Sequence, residues 1–209
     1  NFLNERCVTK DTKVGLYLFN CNEYLTSQFA TMKVMGVPIN VNYRYQSDEL
    51  VYLFDNSDSE VVFFHESYLD QVKQVYKKLP NVKTWIQIGG VKDLEIDGCF
   101  SYEEIISSND PMKRIVRDED NIYMIYTGGT TGMPKGVMYN HGEFSVAMYG
   151  GLKSQGYEVP DMRFRENIKD LKEIIMNKSK SNNLTRCLIA CPLMHGTGMF
   201  LGGFMTHCL

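Results

Sequence analysis

Between Ile125 and Gly136 the chain reads I-Y-T-G-G-T-T-G-M-P-K-G, which places three glycines, three threonines and one lysine within the nine positions from Thr127 to Lys135. That is the chemistry of an anion cradle. Glycines lack Cβ, so their backbone N–H groups can turn toward an anion at close range. Thr127, Thr130 and Thr131 add hydroxyl donors, and Lys135 adds a full positive charge suited to β- or γ-phosphate oxygens. Two other phosphate loops do not fit. A Walker A loop needs Gly-Lys-Ser/Thr in succession, whereas Lys135 stands between Pro134 and Gly136. The dinucleotide pattern G-x-G-x-x-G is approached at Gly196 and Gly198, but its third glycine falls one place late, at Gly202. A lone glycine cluster often marks only a hairpin turn; twelve ordered positions with lysine after proline are much harder to obtain that way.

The other reactive side chains are weaker signals taken alone. His195 lies beside Gly196, and a single histidine in such a place is more often a packed, hydrogen-bonded core residue than a catalyst. Met194, Gly196 and Gly198 read equally as pocket lining or as plain packing of a glycine-rich turn. His141, after the glycine loop, reads as structural. Six cysteines are scattered without a C-x-x-C pair. Cys187 and Cys191 flank Leu188–Ala190, read as a buried strand whose alternating faces do not suit a ligand pair. Reduced, mostly buried thiols are therefore expected, with no metal site and no disulfide.

The elements that must carry these residues alternate between strand and helix patterns, which predicts an α/β fold with a mainly parallel sheet and helices on both faces. Val14–Phe19, Val37–Val41, Glu60–Phe64 and Thr84–Ile88 read as strands. Helices are predicted over Glu23–Met35, with Leu25, Phe29, Met32 and Met35 on one stripe and Gly36 as the stop, and over Ser47–Phe54, with Ser47 as N-cap. Glu66–Leu79 reads as a helix ended by Pro80, and Ser101–Glu104 has capping-box spacing. Asn121–Thr127 is an apolar strand, Val137–Tyr139 a return strand and Gly142–Tyr149 a helix. Asp161–Lys180, with six basic and four acidic residues and an Ile168/Leu171/Ile174/Ile175 stripe, reads as a solvated surface helix. Arg186–Cys191 reads as the last strand.

Composition bounds the rest. The chain has 209 residues, 44% hydrophobic and 22% charged, with a net charge of −3, which argues against disorder and against a nucleic-acid-binding charge excess. No apolar run approaches the roughly 20 residues that span a membrane, so a cytoplasmic protein without a transmembrane segment is expected. Twelve of the seventeen glycines lie at or beyond Gly128, so backbone-driven chemistry is concentrated late in the chain.

The Tyr126–Met138 stretch, Y-T-G-G-T-T-G-M-P-K-G-V-M, resembles the phosphate loop of the adenylate-forming (AMP-binding) superfamily, which holds acyl-CoA synthetases, luciferase and peptide-synthetase adenylation domains. With Gly129 where many members carry serine, it looks most like bacterial fatty-acyl and steroid-acyl CoA ligases. Ala30–Tyr45 followed by Asp48-Glu49-Leu50 is similar to an early helix–strand–helix segment of that family, and Cys191–Gly198 resembles its P-L-x-H element beside the acyl pocket. The likeness covers the chain from about Val14 onward. It implies a two-step reaction in which a carboxylic acid, fatty or steroid-type, is activated by ATP to an acyl-adenylate and passed to coenzyme A. Carried over by position, Thr127, Gly128, Gly129, Thr130, Thr131, Gly132 and Lys135 would hold the β- and γ-phosphates with Mg²⁺ bridging them. Lys135, Thr130 and His195 would be the catalytic residues, His195 as an orienter near the incoming carboxylate. Met194, His195, Gly196 and Gly198 would face the acid.

The resemblance also implies that residues 1–209 form part of a large N-terminal adenylation domain. The metal-binding glutamate, the ribose-holding aspartate and the C-terminal lid with its lysine are not among them. An internal fragment without turnover of its own is therefore expected. Two alternatives remain at this level: a non-catalytic nucleotide-binding module, and an adenylate-forming enzyme with another acceptor, luciferase-like or peptide-synthetase-like.

Overall fold

The computed structural model describes residues 1–93, 95–129, 132–154, 156–181 and 186–206. The chain forms two compact units, Asn1–Met138 and Tyr139–Leu209. The first is built on a sheet of strands β1 (Lys13–Tyr17), β2 (Val37–Asn40), β3 (Ser59–His65), β4 (Thr84–Ile88), β5 (Cys99–Ser101), β6 (Ile122–Gly129) and β7 (Gly132–Asn140), in the order β5-β4-β3-β1-β2-β6-β7. The pairs β1–β2, β1–β3, β2–β6, β3–β4 and β4–β5 are parallel. Strands covered on both faces read as continuous apolar runs rather than alternating ones, which is why they are visible in the sequence. Val14 and Leu16 on one face of β1, and Tyr17 on the other, are all buried.

The helices of this unit are α1 (Phe2–Glu5), α2 (Asn22–Lys33), α3 (Ser47–Asn56), α4 (Leu69–Val75) and α5 (Tyr102–Ser108). Leu50, Leu53 and Phe54 of α3 and Val72 and Val75 of α4 form one core with Ile39, Val62, Phe64 and Trp85 of the sheet. Trp85 is 1% exposed and meets Phe54 and Phe64 edge-on, each at 6.2 Å. On α5 the expected cap is present, with the Ser101 hydroxyl accepting from the Glu104 amide at 3.3 Å.

Several local expectations shift. In α2 the buried face is Tyr24, Ser27, Gln28 and Thr31, not the Leu25–Met35 stripe, whose members are only partly buried. Thr31 satisfies its buried hydroxyl on the Ser27 carbonyl at 2.8 Å. Met35, not Gly36, takes the left-handed conformation after the helix, at φ 68°. Gly36 is needed for close approach: a Cβ there would lie 2.9 Å from Val8 and 3.0 Å from Thr31. Gln46 rather than Ser47 is the N-cap of α3, and the Glu49 carboxylate accepts from its amide at 2.9 Å. The Glu66–Leu79 segment is α-helical only over α4, with 3₁₀ turns on either side.

The second unit holds α6 (His141–Ser154), α7 (Ile168–Lys180) and a π-helical segment, Gly198–Met205. Leu152, Val159 and Met205 form a small core, and Phe144 stacks against Phe200 and Phe204. The helix expected over Asp161–Lys180 is formed only over α7, after a 3₁₀ turn at Arg165–Asn167; on it Leu171 is buried, Ile168, Ile174 and Ile175 are half-buried, and most charges are exposed, as the stripe predicts. The strand expected over Arg186–Cys191 is not formed: residues 186–190 have no regular structure and Leu188 is 94% exposed. An apolar run becomes a strand only when a ladder partner is present, and none of the described residues supplies one there. Nor are the thiols mostly buried. Cys7, Cys187 and Cys191 are exposed and Cys21 and Cys99 partly so, without a disulfide; Cys208 lies outside the described residues.

Candidate nucleotide-binding site

The glycine-rich segment leaves the C-terminal end of β6, the side of a parallel sheet on which open α/β folds bind ligands. β6 and β7 are sheet neighbours, so the segment is a strand–loop–strand hairpin. Thr127, Gly128, Gly132 and Lys135 are all exposed. Thr130 and Thr131 lie outside the described residues, and Gly129 is the last residue of β6.

A Cβ on Gly128 or Gly132 would meet nothing within 4 Å among the described residues, and Gly128 does not have positive φ. Packing among the described residues therefore explains neither glycine. Gly136 is different: a Cβ there would lie 2.8 Å from the Met124 Sδ and 3.0 Å from the Tyr126 ring. It is glycine so that β7 can lie against β6.

Three residues that sequence reasoning did not single out hold this hairpin in place. The Asn40 side chain, at the end of β2, binds both backbone groups of Tyr126: it accepts from the amide at 2.6 Å and donates to the carbonyl at 3.0 Å. Tyr126 donates its phenol proton to the Asn56 side-chain oxygen at 2.8 Å, and Tyr52 donates to the Pro134 carbonyl at 3.1 Å. Both partners project from α3, so α3 grips the two arms of the hairpin. Burial, then the neighbouring Tyr52 and Asp58, pushes the Tyr126 phenol up to about 12, so it remains a donor at neutral pH.

The remaining candidates belong to the second unit. Met194 is buried, at 4% exposure, and Gly196 is partly so, while His195 is exposed, which removes the packed-core reading of that histidine. The His195 amide donates to the Pro192 carbonyl at 3.0 Å, and its own carbonyl accepts from Met199 at 3.0 Å, which leads the turn into the π-helical segment. A Cβ on Gly198 would collide with the Pro192 carbonyl, so tight turn packing explains that glycine. His141 opens α6 beside Asn140, whose side chain accepts from the Gly142 amide at 2.9 Å. No group of three or more His, Cys, Asp or Glu that would hold a metal occurs among the described residues. No helix there is long and apolar enough to cross a membrane.

The chain is similar to known proteins in sequence and in fold. The chain is 34% identical over 199 residues to a 3-oxocholest-4-en-26-oate–CoA ligase of Rhodococcus rhodochrous, covering 94% of this chain and 34% of that protein. It is 35% identical over 201 residues to a medium/long-chain-fatty-acid–CoA/3-oxocholest-4-en-26-oate–CoA ligase of Mycobacterium marinum, covering 93% and 35%. The chain thus spans about a third of the length of these relatives. Its fold matches a crystal structure of a long-chain-fatty-acid–CoA ligase from Archaeoglobus fulgidus with a TM-score of 0.72 at 22% identity, over 98% of this chain and 35% of that one. A profile of the AMP-binding enzyme family matches residues 1–207. The chain belongs to the AMP-binding enzyme family.

Proposed function

We propose that the protein carrying this chain is an AMP-forming acid–thiol ligase that converts a fatty or steroid-type carboxylic acid to its CoA thioester, and that residues 1–209 are part of its N-terminal adenylation domain. In the first step a carboxylate oxygen attacks the α-phosphorus of ATP, and the bond to the β-phosphate oxygen breaks, giving acyl-adenylate and pyrophosphate. In the second the CoA thiol attacks the acyl carbon, loses its proton to solvent and expels AMP. Neither step needs a covalent nucleophile from the protein; what the first needs is fixed donors where charge develops on the leaving pyrophosphate.

The hairpin residues are assigned to that task. Lys135 carries the charge, Thr127, Thr130 and Thr131 the hydroxyl donors, and Gly128, Gly129 and Gly132 the backbone N–H donors. The observation that carries this reading is the pair of glycines at 128 and 132, which no packing contact among the described residues requires. Mg²⁺ would travel on the nucleotide phosphates, since the described residues form no carboxylate cluster for it. His195 is assigned to orienting the acid, with Met194, Gly196 and Gly198 beside it. ATP, the acid and CoA are the partners, with the cytoplasm as the compartment of action. Residues 1–209 alone are expected to give no turnover.

Incubation of the full-length protein with ATP, CoA and a panel of fatty, steroid side-chain and aryl acids, read by mass spectrometry, should give acyl-CoA and AMP. Lys135→Ala should lower the rate by about 10²–10³-fold, the range for loss of one charge-stabilising donor. Adenylate formation without thiol dependence would move the assignment to another acceptor, and no acid-dependent AMP from any acid would overturn it.

A further inference from the structure

Cys187 and Cys191 are both exposed, and neither is in a disulfide. They stand four positions apart, and the chain between them has no regular structure. Ile189, midway, packs on Gly202 of the π-helical segment, where a Cβ would collide with it, while Leu188 is 94% exposed. The pair is thus pinned at its centre, with no ladder among the described residues to hold it extended.

The two conformations open to this segment differ in what they allow the sulfurs to do. In an extended strand, Cα atoms four residues apart lie about 13 Å from each other. A disulfide needs roughly 4.4–6.8 Å, which a helical bend over the same four residues supplies at about 6 Å. Extended backbone and disulfide therefore exclude each other. The Arg186–Cys191 run, patterned as a strand, carries within it the two groups that can lock it out of one.

The other described cysteines are placed differently. Burial pushes the Cys21 thiol up to about 11 and raises that of Cys99, so both hold little thiolate. Cys7 is exposed but belongs to the first unit. Beside Cys187, Arg186 is exposed and takes part in none of the ion pairs of the described residues, which leaves its charge to attract an anionic thiol reagent.

We propose that Cys187 and Cys191 are a redox pair, oxidised by an anionic low-molecular-weight disulfide such as oxidised glutathione to an internal disulfide that locks this segment in a bend. One protein thiolate attacks the glutathione disulfide, whose S–S bond breaks to give a mixed disulfide and one glutathione thiolate. The second protein thiolate attacks the protein sulfur of that mixed disulfide and expels the other glutathione. Two protein thiols are oxidised, one glutathione disulfide is reduced, and the two protons end on the two glutathione thiols. The segment leads into the turn that carries His195. An effect on activity rests on the assignment of that histidine to the acid; the thiol chemistry does not.

The test equilibrates the full-length protein in glutathione buffers, blocks the remaining thiols and reads each cysteine by mass spectrometry. An internal disulfide responds to the square of the reduced glutathione concentration and a mixed disulfide only to its first power. Tenfold dilution at a fixed ratio of the two glutathione forms should therefore raise the oxidised-to-reduced ratio of the pair about tenfold and leave glutathionylation of Cys7 unchanged. Cys191→Ser should leave Cys187 glutathionylated and insensitive to dilution, and Cys208→Ser should leave the pair as it is. Acid-dependent pyrophosphate exchange should fall at least about tenfold on oxidation, return with dithiothreitol, and stay constant in Cys187→Ser. A ratio unmoved by dilution, pairing with Cys208 instead, or undiminished exchange in the oxidised protein would overturn the proposal. Absence of exchange in the reduced protein would count against the ligase reading, and the glutathione titration would still decide the pair.

Discussion

Gly128 and Gly136 sit on one glycine-rich segment and are glycine for different reasons. Among the described residues nothing occupies the space a Gly128 side chain would take, whereas a Gly136 side chain would press on Met124 and Tyr126. Gly136→Ala should therefore destabilise by about 1 kcal/mol, at the low end for overpacking because the Met124 thioether can swing aside. Gly128→Ala should leave the urea midpoint unchanged and act on ATP turnover instead. Urea unfolding together with a rate measurement separates the two; equal stability losses would mean that Gly128 is a packing glycine as well. The residues of this segment were legible in the sequence because their types and order are unusual. What the sequence did not tell is which glycines serve the backbone's exposure and which serve its packing.

At the level of elements, the hairpin is held by side chains far away in sequence: Asn40 and Tyr126 are 86 residues apart, Tyr52 and Pro134 82, Asn56 and Tyr126 70. No local pattern marks such partners, so these positioning residues could be found only once the fold had brought β2, α3 and β6 together. Asn40→Ala strips two hydrogen bonds from the backbone of a buried tyrosine and should cost about 2 kcal/mol in chemical unfolding, since both freed groups lose their partner. Tyr126 gives a pH signature. Its folded phenol is raised from 10.0 to about 12, so between those values the folded state keeps a proton that the unfolded state releases. The contribution is complete below pH 10 and is lost as pH rises toward 12. The stability difference between the protein and Tyr126→Phe should therefore narrow across that interval; a constant difference would contradict the buried, donating phenol. The misplaced strand at residues 186–190 and the rotated face of α2 have the same origin. Apolarity and periodicity report what a segment can do, and the neighbouring element decides which part is used.

For the whole molecule, the parallel sheet was legible because strands covered on both faces leave nearly unbroken apolar runs, and the helices between them carry ordinary stop signals. The three-residue strand Cys99–Ser101 was not, being too short to show a pattern. Trp85 is the largest of the fully buried side chains and joins β4 to the α3 core, so Trp85→Ala should lower stability by about 3–5 kcal/mol, against under 1 kcal/mol for exposed Met176→Ala. The family was legible in one twelve-residue segment, but the acid, the acceptor and the residues that complete the site are questions for the full-length protein. The most direct test is acid-dependent exchange of labelled pyrophosphate into ATP by that protein, which reads the first chemical step without CoA. Exchange should appear with a fatty or steroid-type acid and fall by at least about a hundredfold in Lys135→Ala while the thermal transition stays in place. Undiminished exchange in that folded variant would contradict the assignment of the hairpin to the nucleotide phosphates.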